Sequence, residues 1–275
     1  MKRNIYSLLV AVLGMMTFAA CTEDAGTTPG SDSQATVTLY QYTAEDPYDS
    51  DCDVRVRIAA NSATTEAYAL AETVTDKEQR LAQLGAEGYN DYVVANGEKL
   101  SDIHGASIQD KVFTGLKGEN VITVVAVGGG SKKAAETQFT GISWTDVATG
   151  TYTFSVAPIQ TIYKAQVTTT LQYCDSEPSS YRFKNLFGSG KHLKFTKTNS
   201  TYDDGGAVCR VAAQETPLTY GSYGTISVRD VAAWQNDDNY LDCALYDDGS
   251  FYAWVQYFVA AGNLGHGYDE FVPNE

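Results

Sequence analysis

Cys52-Asp-Val-Arg-Val-Arg-Ile58 alternates without a fault, with Cys52, Val54, Val56 and Ile58 on one side and Asp53, Arg55 and Arg57 on the other. Successive side chains of an extended chain point to opposite faces. A two-residue period of apolar and charged groups therefore predicts an antiparallel strand with one face in a core and one in water. Working outward, Val37 to Tyr42 and Ala67 to Val74 read as its neighbours. Further along, Thr114-Gly115-Leu116 leads into Asn120-Val-Ile-Thr-Val-Val-Ala-Val127, then a turn at Gly128 to Gly130 and a strand ending near Phe139. With 19 tyrosines, 24 glycines and 19% charged residues, the composition is that of a mainly all-β protein.

The two halves of this first unit, residues 36–142, are separated by a helical insertion at about 75–96. Thr75-Asp-Lys-Glu78 has the spacing of a capping box, Leu81 and Leu84 share a face, and Gly85 can end the helix. Glu87 to Ala95 forms a further turn or two with Tyr89, Tyr92 and Val93 on one side. Aromatic residues at helical spacing pack as core, so these should hold the insertion to the sheet. The strands around Thr114 to Val127 and the closing Thr137-Gln-Phe-Thr140 resemble a fibronectin type III or related immunoglobulin-like sandwich. Ile122 stands where that family carries tyrosine, and the early tryptophan is absent. The resemblance is thus to the fold rather than to a subfamily.

Ser143-Trp144 opens a second antiparallel β unit, residues 143–275, with Thr149-Gly-Thr-Tyr-Thr-Phe-Ser-Val156 as its first strand. Further strands are expected near Ile162–Tyr173, Tyr181–Asn185, His192–Thr196, Ala207–Ala213, Gly224–Val228, Tyr240–Tyr246 and Phe251–Ala260. Asp204-Gly205 and Asp248-Gly249 supply hairpin-turn chemistry between strand patterns. About eight short strands with tight turns fit a meander that closes into a barrel or folds as a two-sheet sandwich.

The N-terminus speaks to location. Lys2 and Arg3 precede an apolar run from Ile5 to Phe18, shorter than the roughly 20 apolar residues of a membrane-spanning helix. Small residues and a cysteine follow. Phe18-Ala19-Ala20-Cys21 resembles the lipobox of bacterial lipoproteins, with phenylalanine where that family usually has leucine. The resemblance implies a signal peptide over residues 1–20, lipid on Cys21, and anchorage in an outer membrane. Thr22-Glu23-Asp24 resembles the surface-export signal of some Gram-negative lipoproteins, which implies cell-surface exposure. Residues 21–35 are small, polar and glycine- and proline-containing, so they are expected to form a flexible tether reaching on the order of 20 Å.

Without residues 1–20 the chain carries 34 acids against 17 lysines and arginines. Such an acidic protein, with no basic stripe, is a poor partner for nucleic acid or anionic headgroups. Besides Cys21 it has Cys52, Cys174, Cys209 and Cys243, with no Cys-x-x-Cys and no zinc spacing. They are expected to be buried thiols or to form one bridge in the C-terminal half.

Catalytic constellations are sparse. The histidines, His104, His192 and His266, lie in separate polar contexts, and no serine sits in a Gly-x-Ser-x-Gly elbow. No catalytic residue, cofactor or metal is therefore expected. Asp49-Ser-Asp51-Cys-Asp53 has the every-second spacing of a calcium loop, but Val54 and Ala60 replace its glycine and glutamate, so a solvated acidic turn is expected.

Two stretches are binding candidates. Arg182, Lys184, Lys191 and Lys194 lie in an acid-free segment from Tyr181 to Thr201, read either as a patch for an acidic ligand or as lysines guarding a sheet edge. In Val231-Ala-Ala-Trp-Gln-Asn-Asp-Asp-Asn-Tyr240, Trp234 and Tyr240 bracket Gln235, Asn236 and Asp237. Aromatic platforms rimmed by amides and carboxylates suit sugar rings, which have an apolar face and a hydroxyl edge. The competing reading makes Trp234 a core plug. A tethered pair of β modules resembles accessory lipoproteins that capture polysaccharide, which implies a non-catalytic glycan-binding role. The alternatives are a structural or adhesive lipoprotein that meets other surface proteins and, less favoured, a glycan-active enzyme.

Overall fold

The computed structural model describes residues 34–274. The signal peptide, Cys21 and nearly all of the tether lie outside the described residues. Ala35, placed by the sequence at the end of the tether, is packed in the first core.

The first unit is a sandwich of two antiparallel sheets. Strands β1 (Val37–Thr43), β2 (Val54–Ala60) and β5 (Ser107–Phe113) form one sheet in the order β1-β2-β5. The other is β4-β3-β6-β7, from β4 (Glu98–Lys99), β3 (Glu66–Thr73), β6 (Gly118–Gly128) and β7 (Ser131–Gly141). Val54, Val56 and Ile58 face inward as their alternation predicts, against Ile122, Val124 and Ala126.

Helix α1 (Val74–Asn96) covers the outer face of the second sheet, where Tyr89 and Val93 pack on Val125, Tyr68 and Leu70. This explains why β6 is apolar on both faces from Val121 to Val127 apart from Thr123: the core lies on one side and α1 on the other. Tyr89 donates to Glu72 Oε1 (2.6 Å) and sits 3.1 Å from Thr123 Oγ1, which satisfies its buried hydroxyl. Gly85 has φ of 68°, so the helix breaks there into two segments. The cap lies two residues before the expected position. Thr73 accepts from Asp76 N–H, because the chain leaves β3 at Thr73 and the Thr-x-x-Asp pattern fits there as well.

The second unit is a closed eight-stranded barrel. Its staves are β8 (Trp144–Thr153), β9 (Gln166–Cys174), β10 (Ser180–Lys184), β11 (Leu193–Thr201), β12 (Ala207–Arg210), β15 (Cys243–Leu245), β16 (Phe251–Val259) and β17 (Gly262–Pro273), and β17 pairs with both β16 and β8 to close the ring. A hairpin of β13 (Gln214–Thr219) and β14 (Thr225–Asp230) extends the wall, with β14 pairing the upper half of β16 above the short β15. Gly150 pairs with Pro273 at the closing seam, and a Cβ there would lie 2.2 Å from the carbonyl oxygen of Val272. Closure therefore requires glycine at that position.

The lumen is filled with side chains. Phe183 contacts Tyr152, Phe195, Phe251 and Phe271 at ring-centre distances of 4.9 to 5.4 Å. Asp269 is buried among them. It accepts from Tyr257 (2.6 Å) and Tyr152 (3.1 Å) hydroxyls and from Ser155 N–H (2.7 Å) and Oγ–H (2.8 Å). The barrel has the meander topology of a ligand-carrying calyx, but its interior is a core.

Candidate functional site

Strand β16 alternates as cleanly as β2. Phe251, Ala253, Val255 and Tyr257 point into the barrel, so Tyr252, Trp254 and Gln256 point out. Cross-strand pairing sets Tyr252 opposite Glu270, Trp254 opposite Tyr268, and Gln256 opposite His266. Trp254 and Tyr268 are close to parallel, 13° apart in plane, with centres 5.8 Å apart.

Other rings extend this pair in two directions. His266 lies 5.8 Å from Trp254 and 5.6 Å from Trp234. Tyr252 lies 6.2 Å from Tyr268, and Tyr246 lies 6.3 Å from Tyr252. Tyr240 flanks Trp254 at 6.2 Å. The result is a continuous aromatic strip on the outside of the barrel, with Tyr240 42% and Tyr268 45% exposed.

The 231–240 segment reaches this strip by a tight local fold. Asp230 caps α3 (Val231–Gln235) by accepting Ala233 N–H at 2.6 Å, and Asn236 ends it in the left-handed region. Asp237 then accepts Asn239 N–H and starts a 3-10 turn, Asp238–Tyr240. This geometry presents Trp234 and Tyr240 to His266 and Trp254. Trp234 is half-buried rather than a core plug. Gln235, Asn236 and Asp237 are exposed beside the rings, although Asn236 and Asp237 also hold the turn together.

Polar groups fix the phenols. Tyr268 donates to Asp242 Oδ2 at 2.6 Å, and Tyr246 to Asp204 Oδ2 at 2.7 Å. The Asp242 bond, helped by partial burial and the aspartate's charge, pushes Tyr268 up to about 12. Burial first, then Asp242, pushes Tyr252 up as well. These hydroxyls remain protonated at neutral pH. Rings held by hydrogen bonds on paired strands form a preorganised surface.

The cationic segment has a different fate. Its hairpin faces the β1–β2 loop, whose aspartates fold onto it. Arg182, 3% exposed, donates to Asp49 Oδ2 (3.0 Å), Asp51 Oδ2 (2.8 Å) and Gln172 Oε1 (2.8 Å), and its guanidinium lies 4.3 Å from the Trp144 ring centre. Lys194 pairs with Asp51 at 2.8 Å and Lys191 with Asp46 at 2.7 Å, while Lys184 is exposed. His192 Nδ1 accepts Asn185 N–H, and its Nε2 lies 3.0 Å from Asp49 Oδ2, off the line of a directed hydrogen bond.

The expected solvated acidic turn is thus largely buried, because its aspartates meet the barrel's cations. Asp53 completes it by accepting Asp49 and Gly115 N–H groups. Burial raises the Asp49 pKa, but His192, the Asp51 N–H and Arg182 outweigh this and hold the carboxyl well below the ordinary range. Asp49, Asp51 and His192 are close enough to share a cation. Arg182 and Lys194 already neutralise the two carboxylates, so the cluster serves as the clasp between the units. A cleft of about 520 Å³ beside it is lined by Lys191, His192, Gln214 and Pro217.

The four described cysteines are free thiols. Burial pushes Cys52 and Cys209 up to about 12, which makes them poor nucleophiles. Asp269 is raised to about 6 by burial, against its four hydrogen bonds, but it sits behind Tyr152 and Tyr257 in the filled lumen.

Trp234 and Tyr240 stand out in the sequence, whereas Tyr246, Tyr252, Trp254, His266 and Tyr268 join them only in the fold. Tyr252 and Trp254 lie in a segment legible as a strand, but with rings and apolar groups at both parities of 251–257 its outward face is fixed only in the barrel. His266 and Tyr268 were hidden because β17 was not recognised as a strand.

No family model matches the chain, and no curated protein matches it. Among solved structures it is similar to a Kfla1895 mutant in complex with cyclobis-(1->6)-alpha-nigerosyl, with 11% identity, a TM-score of 0.22, and coverage of 83% of this chain and 30% of that one. The same mutant in complex with isomaltose matches at 10% identity and a TM-score of 0.22, over 81% of this chain and 28% of that one. The chain thus spans less than a third of the length of the structures it matches.

Proposed function

We propose that this chain is a non-catalytic lipoprotein of the outer cell surface, anchored through Cys21, whose barrel holds glycan on its aromatic strip. The carrying observation is the strip itself: Trp254 and Tyr268 are near-parallel on adjacent strands and continued by Trp234, His266, Tyr240 and Tyr252. A face of exposed and half-buried rings rimmed by carboxylates and amides suits sugars, whose C–H faces stack on rings while their hydroxyls bond to the rim. An open strip also suits the side of a long chain better than its end. Lipidation and surface display rest on the Phe18-Ala19-Ala20-Cys21 and Thr22-Glu23-Asp24 patterns.

The test is binding of residues 22–275, with Cys21 removed, to a broad glycan array, alongside Trp254→Ala and Tyr268→Ala. Each substitution removes an outward ring and should leave the melting profile close to that of the parent. Each should weaken binding about tenfold or more, the scale of an interface hot spot. A blank array would refute the glycan reading and point to a protein partner. Unchanged binding by both variants would refute the site.

A further inference from the structure

The rim of the aromatic strip mixes the amides Gln235, Asn236 and Asn239 with carboxylates. Asp237, Asp238 and Glu270 are exposed beside Tyr240 and Tyr252, while Asp242 and Asp204 receive the tyrosine hydroxyls. The cations that border it are turned to protein partners. Arg210 donates to Asp230 (3.0 Å) and Asp238 (2.8 Å), and Arg229 donates to Gln256 (2.8 Å) with its guanidinium 4.4 Å from the Phe258 ring centre. In the cationic segment that could have met an acidic polysaccharide, Arg182, Lys191 and Lys194 face the aspartates of the clasp, and Lys184 alone of the four candidates is exposed without an aspartate.

Resting on the glycan reading above, we infer that the strip takes uncharged or amine-bearing glycan chains and rejects chains bearing uronate or sulfate groups. An anionic chain laid on the rings would bring its charges close to Asp237 and Glu270, with no free cation beside them among the described residues, since Arg210 is taken up by Asp230 and Asp238. Like charges at such distances repel, and the repulsion weakens with salt. Hydroxyls can bond to the same carboxylates at no such penalty, and an ammonium group gains from them. Discrimination thus comes from the repulsive element as much as from the attractive one.

Two measurements test this. In native gels containing a neutral glucan, a neutral mannan, chitosan, pectate or a sulfated glycan, retardation is expected with a neutral or amine-bearing chain, at least about tenfold stronger than with either anionic chain at low salt. A double variant, Asp237→Asn with Glu270→Gln, should narrow that gap. Retardation by pectate or the sulfated glycan that is lost in Trp254→Ala would overturn the charge inference while leaving the glycan site standing. No retardation by any chain would defeat the glycan reading and this inference with it.

The second measurement needs no ligand. Trp144 is 9% exposed, so quenching of the folded protein reports chiefly on Trp234 and Trp254. Caesium ion is expected to quench more efficiently than iodide, with acrylamide as the neutral reference. Equal quenching by the two ions would show that the rim does not repel anions and would overturn the inference.

Discussion

Arg182→Ala takes the buried cation out of the clasp and leaves Asp49 and Asp51 in place, with only the half-exposed Lys194 still paired to Asp51. Asp49 and Asp51 side chains are 15% and 10% exposed, and Arg182 is 3% exposed. Removing one partner of a buried ion pair costs about 3–5 kcal/mol, because the remaining charge keeps its desolvation penalty without compensation. The contact with Trp144 at 4.3 Å is lost too. For a chain of this size each kcal/mol lowers the melting temperature by about 2–4 °C, so a drop of roughly 6–20 °C is expected by calorimetry.

Two controls separate burial from charge. Lys194, 49% exposed, also pairs with Asp51, and Lys194→Ala should cost no more than about 1 kcal/mol. The triple variant Arg182→Met, Asp49→Asn, Asp51→Asn removes the buried charges together and should recover much of the loss. An Arg182→Ala protein melting within about 2 °C of the parent would refute the reasoning. It would mean that the aspartates reach water without the guanidinium.

Asp269 gives a pH dependence of uncommon sign. Its carboxyl is raised from 3.8 to about 6 in the folded protein, so between these values the folded state holds more protons than the unfolded one. Its contribution is complete below about pH 4, is lost as pH rises through about 6, and amounts to about 3 kcal/mol. Denaturation midpoints of the parent relative to Asp269→Asn should fall between pH 4.5 and 7. A difference that does not change with pH would refute the assignment. Gly150→Ala should abolish the folded barrel, since its Cβ would lie 2.2 Å from the Val272 carbonyl, and a variant with parental circular dichroism and melting would refute the closing seam.

Much of the fold was legible in short-range pattern. The 52–58 alternation, the strand near 251–260, the Asp-Gly turns and the glycine break in α1 are local signals, and each matches the structure. β17 escaped because Gly262, Gly265 and Gly267 dilute its alternation. Two of these glycines have a physical reason: a Cβ at Gly265 would press on Val156, and one at Gly267 on Ser155. α2 (Ala157–Ile162) falls between the expected strands 149–156 and 162–173, since its short apolar run carries no helical period. β13 was missed too: Pro217 falls inside a six-residue segment.

The clasp was beyond any local reading. Asp49 and Arg182 are 133 positions apart, and neither segment alone reveals that its charges are matched by the other. The aromatic strip was half legible for the same reason. Trp234 and Tyr240 stood out in one segment, while their partners came from strands whose register only the closed barrel fixes.

The placement of the strip on β16 and β17 has a mechanical consequence. A ligand held there, as proposed, would pull on a hairpin paired over nine positions, from Phe251–Phe271 to Val259–Gly262, and tied at its far edge to β8. Tension along these strands loads many backbone hydrogen bonds at once, so they must shear together instead of opening one by one. The load then leaves the barrel by two routes, the short 141–144 connection and the Arg182 clasp. A second route shares the load with the first and limits swivelling of the barrel about it. Such a coupling suits a module that must stay oriented while its ligand drags on it.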